Sequence, residues 1–206
     1  MRRLDQRRGI LFVVSAPSGG GKTTLVRRAL ADDPSLELSV SCTTRPPRNG
    51  EVDGRDYHFV SRAEFEVRRE QGAFVEWAEV FDHAYATPRL PLDAAIGEGR
   101  DVLLDVDVQG AHSLRQAYGG DAVAIFVVPP SRAALEERLR QRGTDAETQV
   151  RRRLERAAVE VAAASEPGIY DYLIVNDERD HAAGDLFAII RAERLRLGRR
   201  RTVALD

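Results

Sequence analysis

Lys22 is the only lysine in a chain of 206 residues whose other 30 basic residues are all arginine. It stands in Ala16-Pro17-Ser18-Gly19-Gly20-Gly21-Lys22-Thr23-Thr24, directly after the apolar run Ile10 to Ser15. A lysine ammonium is a compact point charge that fits a backbone cradle too tight for a planar guanidinium. Successive glycines let backbone N–H groups converge on phosphate oxygens, and a following helix adds its positive N-terminus. Lys22 then reaches the β and γ phosphates of a nucleotide, and the Thr23 hydroxyl is placed to ligate Mg²⁺. The loop opens on Ala16 where the usual P-loop pattern has glycine, a change that leaves this physics intact. A solvated lysine on a flexible turn is the competing reading, and the setting of strand, glycine loop and helix speaks against it.

Other groups extend the chemistry. In Ser41-Cys42-Thr43-Thr44-Arg45-Pro46-Pro47-Arg48, Arg45 is held extended by the proline that follows, and the Pro-Pro pair stiffens the link to Arg48. Two forked guanidiniums suit a phosphate monoester, with Tyr57 as a third donor. Taken alone, this is as easily a solvated arginine-proline turn; beside a P-loop it implies a second phosphorylated substrate. Glu76, between Val75 and Trp77, offers a carboxylate that accepts from two adjacent N–H groups of a base, a pair that guanine has on its N1 and N2 edge. A solvent-facing strand glutamate is the competing reading. Asp105 and Asp107 follow a buried run, as carboxylates that meet a metal or its waters do, while N-capping competes for Asp107. From Arg138 to Arg156, seven arginines face three acids. Such a run is usually a solvated helix face, but this one straddles Gly143 between two helices, the build of a mobile lid.

The elements that must position these groups are legible as apolar runs: Ile10 to Ser15, Leu36 to Ser41, Val102 to Val106, Val123 to Val128 and Tyr172 to Val175. Helix-length segments separate most of them, which predicts an α/β domain with a mainly parallel sheet. Between Cys42 and Val80, prolines, glycines and mixed aromatics predict short, partly antiparallel strands and a helix near Arg62 to Gln71, an inserted subdomain. A helix is expected from Ser131 to about Arg140. A second starts at a Thr144/Glu147 capping box and buries Val150, Leu154, Ala158 and Val161. The terminal RLRLGRRR reads as a frayed basic helix end.

Composition narrows the function classes. A single cysteine, Cys42, excludes an intrachain disulfide framework, and the four histidines lack zinc-ligand spacing. A reducing compartment fits best. The net charge of −2 gives no global cationic field for nucleic acid. No apolar run approaches the ~20 residues of a membrane span, and MRRLDQRRG does not resemble a signal peptide. The expected protein is soluble and cytoplasmic, with no nucleic-acid or membrane partner.

From about Ile10 to Asp177 the chain resembles the guanylate kinase family. The resemblance is carried by APSGGGKTT, SCTTRPPRNGEVDGRDYHFV, FVEWAEV, YAT, LLDVDVQGA, IFVVPPS, RLRQRGTD and YLIVND, in order and at the family's spacings. It implies one domain over 1–206. A P-loop kinase core would take 9–40, 88–135 and 165–206, a GMP-binding insert about 41–87, and a helical lid about 136–164. It implies transfer of a phosphoryl group from ATP to GMP with Mg²⁺. Residue by residue, Arg45, Arg48, Tyr57 and Tyr85 would hold the GMP phosphate, and Ser41, Glu76, Thr87 and Asp105 would surround guanine. Ala16 to Thr24 would serve ATP, with Thr23 on Mg²⁺ and Asp105 and Asp107 reaching the metal through water. Arg138, Arg142 and Arg153 would be lid arginines, catalytic together with Lys22 and Arg45, and Asn176 would lie near adenosine. Ala86 departs from the family's YGT or YGS, which predicts altered geometry beside Thr87. Homo-oligomerisation stays open. So do two other classes: a related module that binds a protein partner, and a P-loop kinase for a sugar phosphate.

Overall fold

Strands that are apolar on both faces must be covered on both faces, and the helices between them do this. A computed structural model describes residues 7–80, 82–141, 147–165 and 168–199. In chain order the elements are β1 (Leu11–Ser15), α1 (Lys22–Asp32), β2 (Leu36–Leu38), β3 (Cys42–Thr43), β4 (His58–Phe59), α2 (Arg62–Glu70), β5 (Phe74–Val80) and β6 (His83–Pro88). There follow α3 (Arg89–Glu98), β7 (Asp101–Asp105), α4 (Val108–Tyr118), β8 (Ala122–Val128), α5 (Arg132–Gln141), α6 (Glu147–Ala164), β9 (Tyr172–Val175) and α7 (Arg179–Leu195).

Five strands form a parallel sheet in the order β2-β7-β1-β8-β9. Alternation along β1 divides the core. Phe12 and Val14 pack with Leu25, Val26 and Ala29 of α1 and with Ala182, Leu186 and Ile190 of α7. Leu11 and Val13 face the other way, onto Leu92 and Ile96 of α3 and Leu114 of α4. Because parallel strands all end at the same side, the loops after β1, β7 and β9 emerge on one edge, where ligands of open α/β sheets bind.

The inserted segment forms a separate four-stranded sheet, β4-β3-β6-β5, of mixed direction. Ser61 caps α2, its hydroxyl accepting from the Glu64 N–H at 3.1 Å. The helix lays Phe65 on the sheet, with the Phe65 and Phe74 ring centroids 4.9 Å apart and Cys42, Ala84 and Ala86 around them. Helices α5 and α6 pair through Leu135, Leu139, Val150, Leu154 and Ala157.

Four expectations change. The run Leu36 to Ser41 is strand only over Leu36–Leu38, because the chain leaves the core sheet there to enter β3 of the second sheet. On α6 the buried face uses Ala157, while Ala158 and Val161 are exposed. The basic segment after α7 is clamped rather than frayed as far as Arg199, which donates to Glu193 at 2.8 Å and to the Gly120 carbonyl at 2.7 Å, while Arg200 and Arg201 lie outside the described residues. Ala86 is itself in register opposite Cys42 and Trp77, its methyl filling the insert's core, and the irregularity beside Thr87 lies on the facing strand, where the register shifts between Phe74 and Glu76. The Thr144/Glu147 capping box lies outside the described residues at Thr144.

Candidate phosphoryl-transfer site

The loop after β1 holds its shape through left-handed glycines. Gly19 and Gly21 have φ of +93° and +92°, a region that L side chains rarely adopt. A Cβ on Gly21 would also stand 2.2 Å from Nδ2 of Asn176. That side chain is buried and donates to the Gly20 carbonyl at 2.7 Å, so the residue after β9 braces the loop, and its Oδ1 is buried with no protein partner. Residues Ala16 to Thr24 and Asp105 line a cleft of about 270 Å³. Across it, Lys22 Nζ lies 2.6 Å from Asp105 Oδ1 and donates to the Val106 carbonyl. Thr23 Oγ1 lies 3.2 Å from Asp105 Oδ2. Asp107 caps α4, its Oδ1 accepting from the Gly110 N–H at 2.8 Å.

A neighbouring cleft of about 360 Å³ is lined by Gly19, Gly21, Thr24, Arg138, Asn176 and Arg179 among others. Arg138, half-buried on α5, donates to the Asn176 carbonyl at 2.7 Å. Arg153 is half-buried on α6 and does not line either cleft. Arg142 lies outside the described residues. Arg140, Arg151, Arg152 and Arg156 are exposed, so four of the six described arginines of the basic run lie on a solvated face. A larger cleft of about 740 Å³, between α5, α6 and the β8–β9 edge, is lined mainly by apolar side chains, with Arg132 and Tyr170 also on its wall.

In the insert, Arg45 is buried. Its guanidinium carbon stands 5.4 Å from the Tyr57 ring centroid, and the Tyr57 and Tyr85 rings meet edge to face at 6.0 Å. The Arg45 guanidinium is held by more than the proline pair, whose Pro46 carbonyl accepts from Nη1 at 2.8 Å. Glu51 accepts from Arg45 Nη2 at 2.8 Å and from the Arg48 backbone N–H at 2.7 Å, while the Arg48 side chain is exposed. Glu51 went unread in the sequence because a loop carboxylate carries no periodic signal. Burial pushes the Tyr57 hydroxyl up from its ordinary pKa.

Glu76 and the buried Thr87 are cross-strand partners, and the Thr87 hydroxyl donates to the Glu76 carboxylate. Glu76 is not solvent-facing: an ideal Cβ on Gly110 would lie 3.4 Å from its carboxyl carbon, so its head group rests on the first turn of α4. Burial pushes its pKa above the usual carboxylate range, with Asp107 adding to the rise and the Thr87 hydrogen bond opposing it. Ser41 is half-buried just before β3.

A parallel α/β sheet with a glycine loop, a loop lysine and a strand-end aspartate defines a P-loop nucleotide-binding domain. The family model described as guanylate kinase matches residues 8–193. A guanylate kinase of Sphingopyxis alaskensis is 50% identical over 97% of this chain and 88% of its own length. One of Rhodopseudomonas palustris is 49% identical over 98% and 89%. The crystal structure of guanylate kinase from Anaplasma phagocytophilum superposes with a TM-score of 0.75 at 34% identity, over 95% of this chain and 92% of that one. The chain belongs to the guanylate kinase family.

Proposed function

We propose that this protein transfers the γ-phosphoryl group of ATP to GMP, giving ADP and GDP, through the residues assembled above. The observation that carries the reading is the segment Asp105 to Gly110. At one end Asp105 meets the loop lysine, and at the other Gly110 supports the carboxyl of Glu76. One short stretch of chain thus touches both the group proposed to read a base and the group proposed to handle phosphate.

A GMP phosphate oxygen, anionic near neutral pH, attacks the γ-phosphorus. The new P–O bond forms as the bond to the ADP oxygen breaks, and no general base is needed. Catalysis is positioning and charge. The backbone of residues 16–24 receives the ATP phosphates, Lys22 leaves Asp105 for them, and Asn176 lies near adenosine. Arg45, Arg48, Tyr57 and Tyr85 hold the GMP phosphate. Glu76, with Ser41, Thr87 and Asp105, surrounds guanine. Arg138, Arg142 and Arg153 close from the lid and exclude water.

The Thr23 hydroxyl, 3.2 Å from the Asp105 carboxylate, is a hard oxygen donor that would hold Mg²⁺, with Asp105 reaching the ion through water. When bound there, Mg²⁺ supplies charge neutralisation for the phosphates. Asp107, occupied as a helix cap, would likewise reach the metal through water. Residues 41–87 act as the acceptor insert and 136–164 as the lid, on a core of 9–40, 88–135 and 165–206. The unpaired, buried Cys42 fits a reducing compartment, and the proposed location is the cytoplasm.

The test is ADP release from MgATP with GMP, dGMP, AMP, CMP, UMP and a sugar phosphate offered in turn. Turnover with GMP well above AMP and the sugar phosphate is expected. No turnover with any acceptor would make the domain a binding module, and preference for the sugar phosphate would reassign the insert.

A further inference from the structure

Exposed arginine–glutamate pairs contribute little, because water screens them and long side chains pay entropy to meet. The Arg45–Glu51 pair differs. The Arg45 side chain is 9% exposed and that of Glu51 21%. The guanidinium lies against Tyr57 and Phe59, 5.4 and 5.8 Å from their ring centroids, and donates to the Pro46 carbonyl at 2.8 Å. One carboxylate oxygen takes the guanidinium, and the other takes the Arg48 backbone N–H. The Glu51 N–H donates in turn to the Arg48 carbonyl at 3.1 Å, closing a turn over Gly50, whose φ is +86°. We propose that Glu51 is a positioning residue of the acceptor-phosphate site: it ties the buried Arg45 guanidinium to the turn that carries Arg48, holding both before the phosphate monoester arrives.

The inference rests on the proposed reading of Arg45 and Arg48 as GMP-phosphate ligands and deepens it. A carboxylate beside an incoming phosphate dianion is repulsive, so it serves binding only by what it organises. Two effects therefore oppose each other. Repulsion predicts that neutralising Glu51 tightens GMP; organisation predicts that it loosens GMP, since a buried cation left unpaired turns to other partners. The hydrogen bonds from Arg45 and then from the Arg48 N–H hold the Glu51 carboxyl below the usual carboxylate range, so it is ionised at neutral pH. The organising arrangement is thus the working state.

Kinetics for GMP and MgATP are compared in the parent, Glu51→Ala and Glu51→Gln, with a thermal melt of each. Glu51→Ala is expected to raise KM for GMP about tenfold or more while KM for MgATP stays within about twofold. Glu51→Gln keeps one acceptor oxygen for two donors and is expected to fall between parent and alanine. If Glu51→Ala does not fold, the near-isosteric Glu51→Gln decides alone. A lower KM for GMP in either folded variant, a parent-like KM, or an equal rise for both substrates would overturn the inference. Absence of GMP turnover in the parent is a separate result and would overturn the functional reading beneath it as well.

Discussion

At the scale of single residues, Glu76 shows what binding chemistry asks of a fold. Its carboxyl is held by Thr87 and the first turn of α4, where burial and Asp107 raise its pKa. On the proposed reading, guanine is recognised by the ionised form, and a raised pKa lets the protonated form persist to higher pH than in an ordinary glutamate. KM for GMP should therefore rise as pH falls toward the folded pKa of Glu76, beyond what the phosphate's own titration contributes. Glu76→Gln removes that extra component and serves as the control. The same substitution replaces an acceptor with a donor facing a guanine N–H. It should cost GMP about 30- to 1000-fold in kcat/KM, or roughly 2–4 kcal/mol, and collapse the GMP:AMP ratio. For stability the sign is opposite. A carboxyl whose folded pKa lies above its unfolded value weakens the fold at neutral pH, and the penalty fades as pH falls through the folded pKa. The glutamine carbonyl still accepts from Thr87, so Glu76→Gln should melt at a higher temperature than the parent at pH 7 while losing GMP. A variant that melts lower and keeps its GMP:AMP ratio would make Glu76 a structural partner of Thr87 and nothing more.

At the scale of elements, the insert and the α5–α6 pair are satellites with small cores of five buried residues each among the described residues. Each such side chain therefore carries a large share of its unit's stability. Ala86 is 1% exposed in the insert's core. Ala86→Gly removes a buried methyl and adds backbone freedom to the unfolded chain, which should cost about 1–2 kcal/mol and lower Tm by about 2–8 °C. Because Thr87 keeps its register with Glu76, KM for GMP should stay within about twofold; a large rise would show that the methyl shapes the base site. The central strands were legible because parallel strands buried on both faces are near-continuous apolar runs, as β1 is up to Ser15 and β8 is throughout. The α6 face was misread between Ala157 and Ala158 because both are small and the 3.6-residue period tolerates either. β2 ends early because a change of sheet is a tertiary event that an apolar run does not record. At the site, Lys22 was legible from composition and motif together, whereas Glu51 acts through a loop shape that only the fold reveals.

At the scale of the whole molecule, the parallel sheet separates function from anchorage. Lys22, Asp105 and Asn176 gather where β1, β7 and β9 end, and a second charged cluster sits where β7 begins. Asp101, 2% exposed, receives Arg7 at 2.6 Å through both oxygens, Arg194 Nε at 2.7 Å and the Ile10 N–H at 3.0 Å. Arg194 continues to Asp33 at 2.5 Å. This network ties the chain before β1, the end of α1 and the end of α7 to one strand, and desolvation keeps it costly to break. Asp101→Asn leaves two guanidiniums facing a neutral amide and should destabilise by about 3–5 kcal/mol, lowering Tm by about 6–20 °C. Arg194→Leu should do the same in part. Since both remove the Asp101–Arg194 bond, the double variant should lose less than the two singles combined. The five residues of β7 put roughly 13 Å between this cluster and Asp105. Well below their melting points, both variants should therefore keep KM for GMP and for MgATP within about twofold of the parent. A KM change at low temperature, in a variant whose melt is sharp and cooperative, would mean that the anchoring end of the sheet sets the geometry of the other.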